Sequence, residues 1–229
     1  MENKGTRLIT VVFVVIAIVV SLILIVVLDG AERSAIAAAT NDNSVLNPVI
    51  GSTEPTYEHD DFFKCSAIYQ KENGRVICYI QNTSNNNYAA NYTLSFKDEN
   101  NHEISHTTGT IDEILAGDYR FAEVKDIPAN VSKVELFAKA GTMNANPFKL
   151  QMQTSITNGK VKISIPAYNA AISLKEIQVC YMDASNSIVD VSFIPVSGTL
   201  PANTPYEFDL QMVQNSSQVA VGAYGYVAQ

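Results

Sequence analysis

The sequence predicts an all-β architecture, two tandem β-sandwiches behind one N-terminal transmembrane helix. Three observations carry the prediction. A run of 21 residues without a charge lies near the start, the rest alternates apolar and polar residues at period two between turn formers, and that rest repeats itself at an offset of 85 residues.

The apolar run is Leu8 to Leu28 (LITVVFVVIAIVVSLILIVVL). At about 1.5 Å per residue it crosses a hydrocarbon layer of about 30 Å, and it is longer than the roughly 7 to 15 apolar residues of a cleaved secretion signal. Lys4 and Arg7 precede it while Asp29 and Glu32 follow, so the positive-inside rule puts residues 1–7 in the cytoplasm and the bulk of the chain outside the membrane. Cleavage after Ala37-Ala38-Ala39 stays open as an alternative, although that site lies about ten residues past the apolar core, further than signal peptidase sites usually do. The span holds no Gly and one Ser, Ser21, and reads as a passive anchor.

Residues 29–61 form the next expected unit. Ala31 to Thr40 is alanine-rich and suits an extension of the helix, whereas Asn41 to Asp61 (NDNSVLNPVIGSTEPTYEHDD) mixes Asn, Pro, Gly, Ser and acids without an apolar period and reads as a flexible stalk. The net charge of −8 lies wholly after residue 40, where 12 Lys and Arg face 20 Asp and Glu. Such a surface repels phosphate backbones, so no nucleic-acid partner is expected.

Beyond the stalk the repeat is read without a gap. Lys64 matches Lys149, Asn73-Gly74 matches Asn158-Gly159, Val76 and Ile80 match Val161 and Ile165, and Asp98 and Asn101 match Asp183 and Asn186. Leu115 then matches Leu200, Phe121 matches Tyr206, and Val134 matches Val219. Two copies of one fold follow, at 62–141 and 148–229, and the short join Thr142 to Pro147 implies that they touch. Within the first copy, Phe63, Cys65, Ala67 and Tyr69 share one face of a strand and Val76, Cys78 and Ile80 share one face of the next. Asn73-Gly74 predicts a two-residue hairpin turn between them, with Cys78 opposite Tyr69 and Cys65 opposite Asn82. The same rule in the second copy sets Ile163 beside Thr154 and Leu150 near Ala167. Tyr92, Leu94 and Phe96 make a third strand ending at Asp98-Glu99-Asn100-Asn101, and strands of this length at this spacing describe a sandwich of about seven strands.

The pattern NG-x-V-x-(I/C)-x-I, then (L/V)-x-(F/Y)-x-D-x-x-N, then L-(A/P)-(G/A)-x-x-x-(F/Y), resembles the FxLYD-type and related immunoglobulin-like domains of bacterial and archaeal cell-surface proteins. Leu94, Phe96, Asp98, Leu115, Gly117 and Phe121 carry it once, and Val179, Tyr181, Asp183, Leu200 and Tyr206 carry it again. Lys97 and Met182 stand directly before the Asp, where the family motif has Tyr. The resemblance implies a surface location with adhesion-like or accessory roles, and it brings no catalytic residues.

The residues that invite chemistry have structural readings beside them. With the two-residue turn, the sulfurs of Cys65 and Cys78 stand four residues apart along the sheet, roughly 13 Å at about 3.3 Å per residue, too far for a disulfide. A disulfide between them stays open through a register shift in an oxidising compartment, and buried free thiols are the other reading. Cys180 turns away from the face that holds Val179 and Tyr181, either as a half-covered inert thiol or as an intermolecular disulfide site. His102 and His106 are about 13 Å apart on a strand and cannot chelate one ion, and His59 sits in a solvated acidic linker. Asp98 to Asn101 lack the Gly and distal Glu of a calcium loop, so a capped turn accounts for them. Asp112, Glu113 and Asp118 read as an acidic loop. Four glycosylation signals stand at Asn82, Asn91, Asn130 and Asn215, and the loop Asn82 to Tyr92 offers Tyr88 and Tyr92 as candidate partner contacts.

No cofactor, metal or catalytic set is therefore expected. The expectation is a membrane-anchored, extracytoplasmic interaction protein with a protein or glycan partner. Two alternatives stay open. Lys4-Gly5 before the apolar helix resembles the processing site of class III signal peptides and suggests a pilin-like subunit, although Thr10 stands where bacterial pilins carry Glu. An accessory subunit of a larger membrane complex is the other.

Overall fold

The computed structural model describes residues 55–228, and the expected helix at Leu8–Leu28 lies outside the described residues. No helix among the described residues is long and apolar enough to cross a membrane. Among the described residues every regular element longer than one turn is a strand. The first half holds β1 (Phe63–Gln70), β2 (Arg75–Asn82), β3 (Tyr88–Lys97), β4 (Glu103–Ile114), β5 (Tyr119–Val124) and β6 (Lys133–Gly141). The second holds β7 (Phe148–Lys149), β8 (Gln153–Thr157), β9 (Lys160–Ile165), β10 (Ile172–Ser173), β11 (Glu176–Met182), β12 (Ile188–Pro195), β13 (Thr199–Leu200), β14 (Tyr206–Gln211), β15 (Gln218–Gly222) and β16 (Tyr224–Val227).

In the first half the antiparallel sheets β1-β2-β5 and β4-β3-β6 face each other across Val76, Cys78, Ile80, Leu94, Phe96 and Ile114. In the second, β14-β9-β8 faces β12-β11-β15 across Val161, Ile163, Ile165, Ile177, Val179 and Tyr181, while β13-β10-β16-β7 closes one side with short strands. A third apolar cluster joins the halves: Ile77, Phe121, Cys180 and Val191 are buried between β1-β2-β5 and β12-β11-β15. The four main sheets thus stack in series, and the two inner ones are covered on both faces. That is why β2 reads Val76-Ile77-Cys78-Tyr79-Ile80, apolar at every position rather than every second one.

The repeat is visible hydrogen bond by hydrogen bond. Leu94 pairs with Leu136 and Thr107, and Val179, 85 residues on, pairs with Val221 and Ser192. Both central strands bulge at the same place, between Phe96 and Lys97 and between Tyr181 and Met182. The turn that follows is also the same. Asp98 accepts the N–H groups of Asn100 (2.8 Å) and His102 (2.9 Å), and Asp183 accepts those of Ser185 (2.8 Å) and Ser187 (2.9 Å). Asn101 and Asn186 take the left-handed conformation at φ 64° and 66°. Val76 and Val161 are both fully buried, while Leu115 is half-buried where Leu200 is buried.

Four expectations are corrected. The first concerns the β1–β2 hairpin, whose loop is four residues long: Lys71–Asn73 forms a 3-10 turn, and only Gly74 is left-handed (φ 60°). Gln70 pairs with Arg75, so Cys78 lies opposite Ala67 rather than Tyr69, and Cys65 opposite Ile80 rather than Asn82. The side chains explain it, because Gln70 Oε1 accepts from Arg75 Nε (2.7 Å) and Asn73 Nδ2 (3.2 Å) and draws the loop shut around itself. In the second half Asn158 and Gly159 are both left-handed (φ 50° and 72°), the two-residue turn forms, and Thr154 pairs with Ile163 as expected. Leu150 does not reach Ala167; its N–H instead bonds to the Ala223 carbonyl (3.0 Å).

Second, the repeat has a one-residue slip. Tyr79 pairs with Phe121, but Ser164 pairs with Glu207, at offsets of 85 and 86. The left-handed residue of the preceding turn moves by the same step, from Gly117 to Asn203. Tyr206 is consequently 41% exposed, whereas Phe121 is 4% exposed. Third, neither copy has seven strands: the first has six and the second ten, several of them two residues long.

Fourth, the stalk does not run free to Asp61. Asp60 N–H donates to the Ala138 carbonyl (2.9 Å) and its carboxylate accepts from Ala140 N–H (2.6 Å), while His59 Nδ1 accepts from Ala138 N–H (3.1 Å). Tyr57 donates to Glu103 and packs on Phe137 at 5.4 Å, and Glu58 pairs with Lys139. Residues 57–60 therefore form a strap along β6, satisfying backbone groups that an edge strand would leave open.

Candidate functional site

The seam between the halves concentrates the polar chemistry. Gln178, 4% exposed on β11, accepts from the Phe121 N–H (3.0 Å) and donates to the Phe121 carbonyl (2.9 Å). Arg120 bonds to Glu176 (3.2 Å) and lies over the Tyr224 ring, 4.7 Å from its centre. The Tyr224 hydroxyl donates to Asp118 (3.0 Å) and accepts from Leu115 N–H (3.1 Å), and Lys149 also holds Asp118 (2.7 Å). At the other end Arg75 pairs with Glu123 and Asp190, and Gln70 donates to the Val189 carbonyl (2.9 Å). None of these roles was legible one residue at a time. The signal that could have found the seam is the double-faced apolarity of β2, with Cys180 and Met182 on the second face of β11.

A cleft of about 320 Å³ opens along this seam. Asp112, Glu113, Glu123 and Glu176 line it with Arg120 and Lys175, above Phe121, Phe193 and Tyr226. Burial, then the hydrogen bond to Glu113, pushes the Tyr226 phenol well above its ordinary pKa. The hydrogen bond to Asp112 (2.6 Å) likewise raises Lys175. Among the described residues no buried side-chain nitrogen or oxygen lacks a partner, and in the cleft Arg120 pairs with Glu176 and Lys175 with Asp112 and Glu113.

The residues singled out by sequence are scattered. Cys65 is half-buried, Cys78 and Cys180 are buried, and all three are free thiols. Cys65 and Cys78 are diagonal neighbours on one sheet face, closer than the expected register allowed. Burial pushes Cys65 and Cys78 up to about 12, with Cys65 adding to the shift of Cys78, and burial with Asp190 pushes Cys180 up to about 11. Such thiols stay protonated at neutral pH and are poor nucleophiles. Cys180 is not half-covered; it lies inside the seam, out of reach of another molecule.

The partner-contact role expected of Tyr92 does not fit its burial. Tyr92 is 9% exposed, and its hydroxyl fills the space over Gly109, where a β-carbon would stand 2.3 Å away. Tyr88 is half-buried and stacks on Phe62 at 5.1 Å. Nor is Asp118 part of an acidic loop, since it is 9% exposed and tied to Lys149 and Tyr224. Glu103 collects Ser95 Oγ (2.6 Å), Tyr57 Oη (2.7 Å) and His106 Nδ1 (3.1 Å). These are the residue types of a hydrolytic triad in the wrong order: the carboxylate sits between the hydroxyl and the imidazole, so the histidine has no contact through which to take the serine proton. Among the described residues no three His, Cys, Asp or Glu side chains are placed to hold a metal ion.

No family model matches the chain, and no curated protein matches it. Among solved structures, the crystal structure of red sea bream transglutaminase aligns with 72% of this chain at 10% identity and a TM-score of 0.25. The chain spans 29% of that protein's length, and a likeness at this score carries no argument about fold or activity.

Proposed function

We propose that this chain is a membrane-anchored, extracytoplasmic interaction protein without catalytic activity, presenting two immunoglobulin-like sandwiches of the FxLYD type to a protein or glycan partner. The observation that carries the reading is the uncharged run Leu8–Leu28, flanked by Lys4 and Arg7 before it and Asp29 and Glu32 after it. The all-β architecture and the repeated ladder support the tandem-sandwich part of the reading. Protease added to intact cells tests the placement: a soluble fragment beginning upstream of Tyr57 is the expected product. Protection in intact cells with digestion after lysis reverses the orientation. Turnover of a peptide, ester or glycoside substrate by the purified chain removes the non-enzymatic reading.

A second reading is favoured by Lys4-Gly5, which suits processing that leaves Thr6 first on a pilin-like subunit. Mass spectrometry of the N-terminus separates the two, since an intact Met1 or Glu2 end is incompatible with such processing.

A further inference from the structure

We infer that Asn130 and Asn215 are a matched pair of N-glycan acceptor sites, whereas Asn82 and Asn91, which carry the same three-residue signal, are not. The inference rests on the extracytoplasmic placement proposed above. Glycan transfer needs the asparagine amide nitrogen free, the hydroxyl two residues on within reach, and a backbone that can leave the surface and enter another protein's active site.

Asn82 fails because its amide nitrogen is engaged and its backbone is held in the β2 ladder. It is fully buried, with Nδ2 donating to the carbonyls of Asn86 (2.7 Å) and Ile114 (3.1 Å). Its Oδ1 accepts from the backbone N–H (3.0 Å) and hydroxyl (2.7 Å) of Ser84, so the hydroxyl of the signal is itself engaged. Asn91 is exposed but stands in β3, the central strand between β4 and β6. Its Oδ1 accepts from Thr110 (3.0 Å), and its Nδ2 lies against Gly141, 2.9 Å from where a β-carbon would stand. Presenting it would strip a ladder on both sides.

Asn130 and Asn215 differ from both and match each other. They are 85 residues apart, occupy the same turn in the two halves, before β6 and before β15, and are left-handed at φ 64° and 66°. Both are exposed, as are Ser132 and Ser217 two residues on. Among the described residues neither asparagine amide and neither of those hydroxyls has a hydrogen-bond partner. The left-handed turn explains an asparagine. It does not explain the hydroxyl, because Ser132 and Ser217 serve the fold through their backbone N–H groups, which bond to the carbonyls of Lys97 (2.9 Å) and Met182 (2.8 Å). Any residue but proline would do that.

The substrate class is an oligosaccharide carried on a polyprenyl phosphate or pyrophosphate. The asparagine nitrogen attacks the anomeric carbon and forms the C–N bond. The anomeric C–O bond breaks, the lipid phosphate leaves, and the amide proton passes to a base of the transferase, with no change of oxidation state.

The test is glycopeptide mass spectrometry on full-length protein taken from the membranes of cells that produce it. Sugar is expected on the peptides holding Asn130 and Asn215, with Asn82 and Asn91 bare. Asn130→Gln and Ser132→Ala should each remove one glycan mass, Asn215→Gln and Ser217→Ala the other. The serine variants keep the turn asparagine, so their loss cannot be a folding effect. Bare Asn130 and Asn215 on protein that external protease reaches overturn the inference and leave the placement standing, and so does sugar on Asn82 or Asn91. Protein that external protease cannot reach in intact cells fails the placement, and the inference falls with it.

Discussion

The side-chain amide of Gln178 holds the backbone of Phe121 at both ends, donating to its carbonyl and accepting from its N–H as a neighbouring strand would. It thereby gives β5 two bonds from the other half of the molecule. Gln178→Leu keeps the bulk and removes the bonds, so each backbone group left unpaired in the seam should cost about 1 to 3 kcal/mol. Urea denaturation of the purified chain checks it, and an unchanged midpoint would show that the seam opens freely to water.

Gly109 exists for Tyr92. A β-carbon there would meet the Tyr92 hydroxyl at 2.3 Å, and the ring is walled in by the core. Gly109→Ala should cost about 1 to 3 kcal/mol through overpacking. Combined with Tyr92→Ala it should cost less than the sum of the two single changes, which thermal melts of the three variants would reveal.

Acid should weaken the fold through Glu103. Burial alone would raise its carboxyl, but hydrogen bonds from Ser95, Tyr57 and His106 outweigh it and hold the group below the ordinary glutamate range. A carboxyl depressed on folding contributes stability that is complete above its unfolded pKa of about 4.3 and is lost as pH falls through the folded value. Tyr57→Phe and Ser95→Ala each remove one donor. Both should narrow the gap between urea midpoints measured at pH 7 and pH 3.

The thiols should be silent until the chain unfolds. With Cys65, Cys78 and Cys180 all shifted well upward by burial, iodoacetamide at pH 8 should label none of them in the native protein and all three after denaturation without reductant. Two labels missing until reductant is added would establish a Cys65–Cys78 disulfide instead.

Legibility in the sequence followed the range of the interaction. The Asp98 and Asp183 turns were readable because a carboxylate capping its own backbone is decided within five residues. Thr154 beside Ile163 was readable for the same reason. The β1–β2 loop has the same Asn-Gly pair as β8–β9, yet Gln70 and Arg75 close it differently, and Arg75 is in turn held by Asp190, 115 residues away. Tyr206 was misplaced because a single left-handed residue moved from Gly117 to Asn203, a step that leaves the surrounding pattern intact. The seam was missed for a subtler reason. Alternation was sought on one face of each strand; in β2 both faces are apolar, and in β11 Cys180 and Met182 share the second face with Gln178, so the second face passed as noise.

The strap at Tyr57–Asp60 decides where a pull would enter the fold. Tension arriving from the N-terminal side meets the bonds from Asp60 and His59 to Ala138 and Ala140 before it meets Phe63 and the β1–β2 ladder. Those few bonds act as a fuse in series with the sheets. A pull from that side would strain those bonds first, ahead of either core.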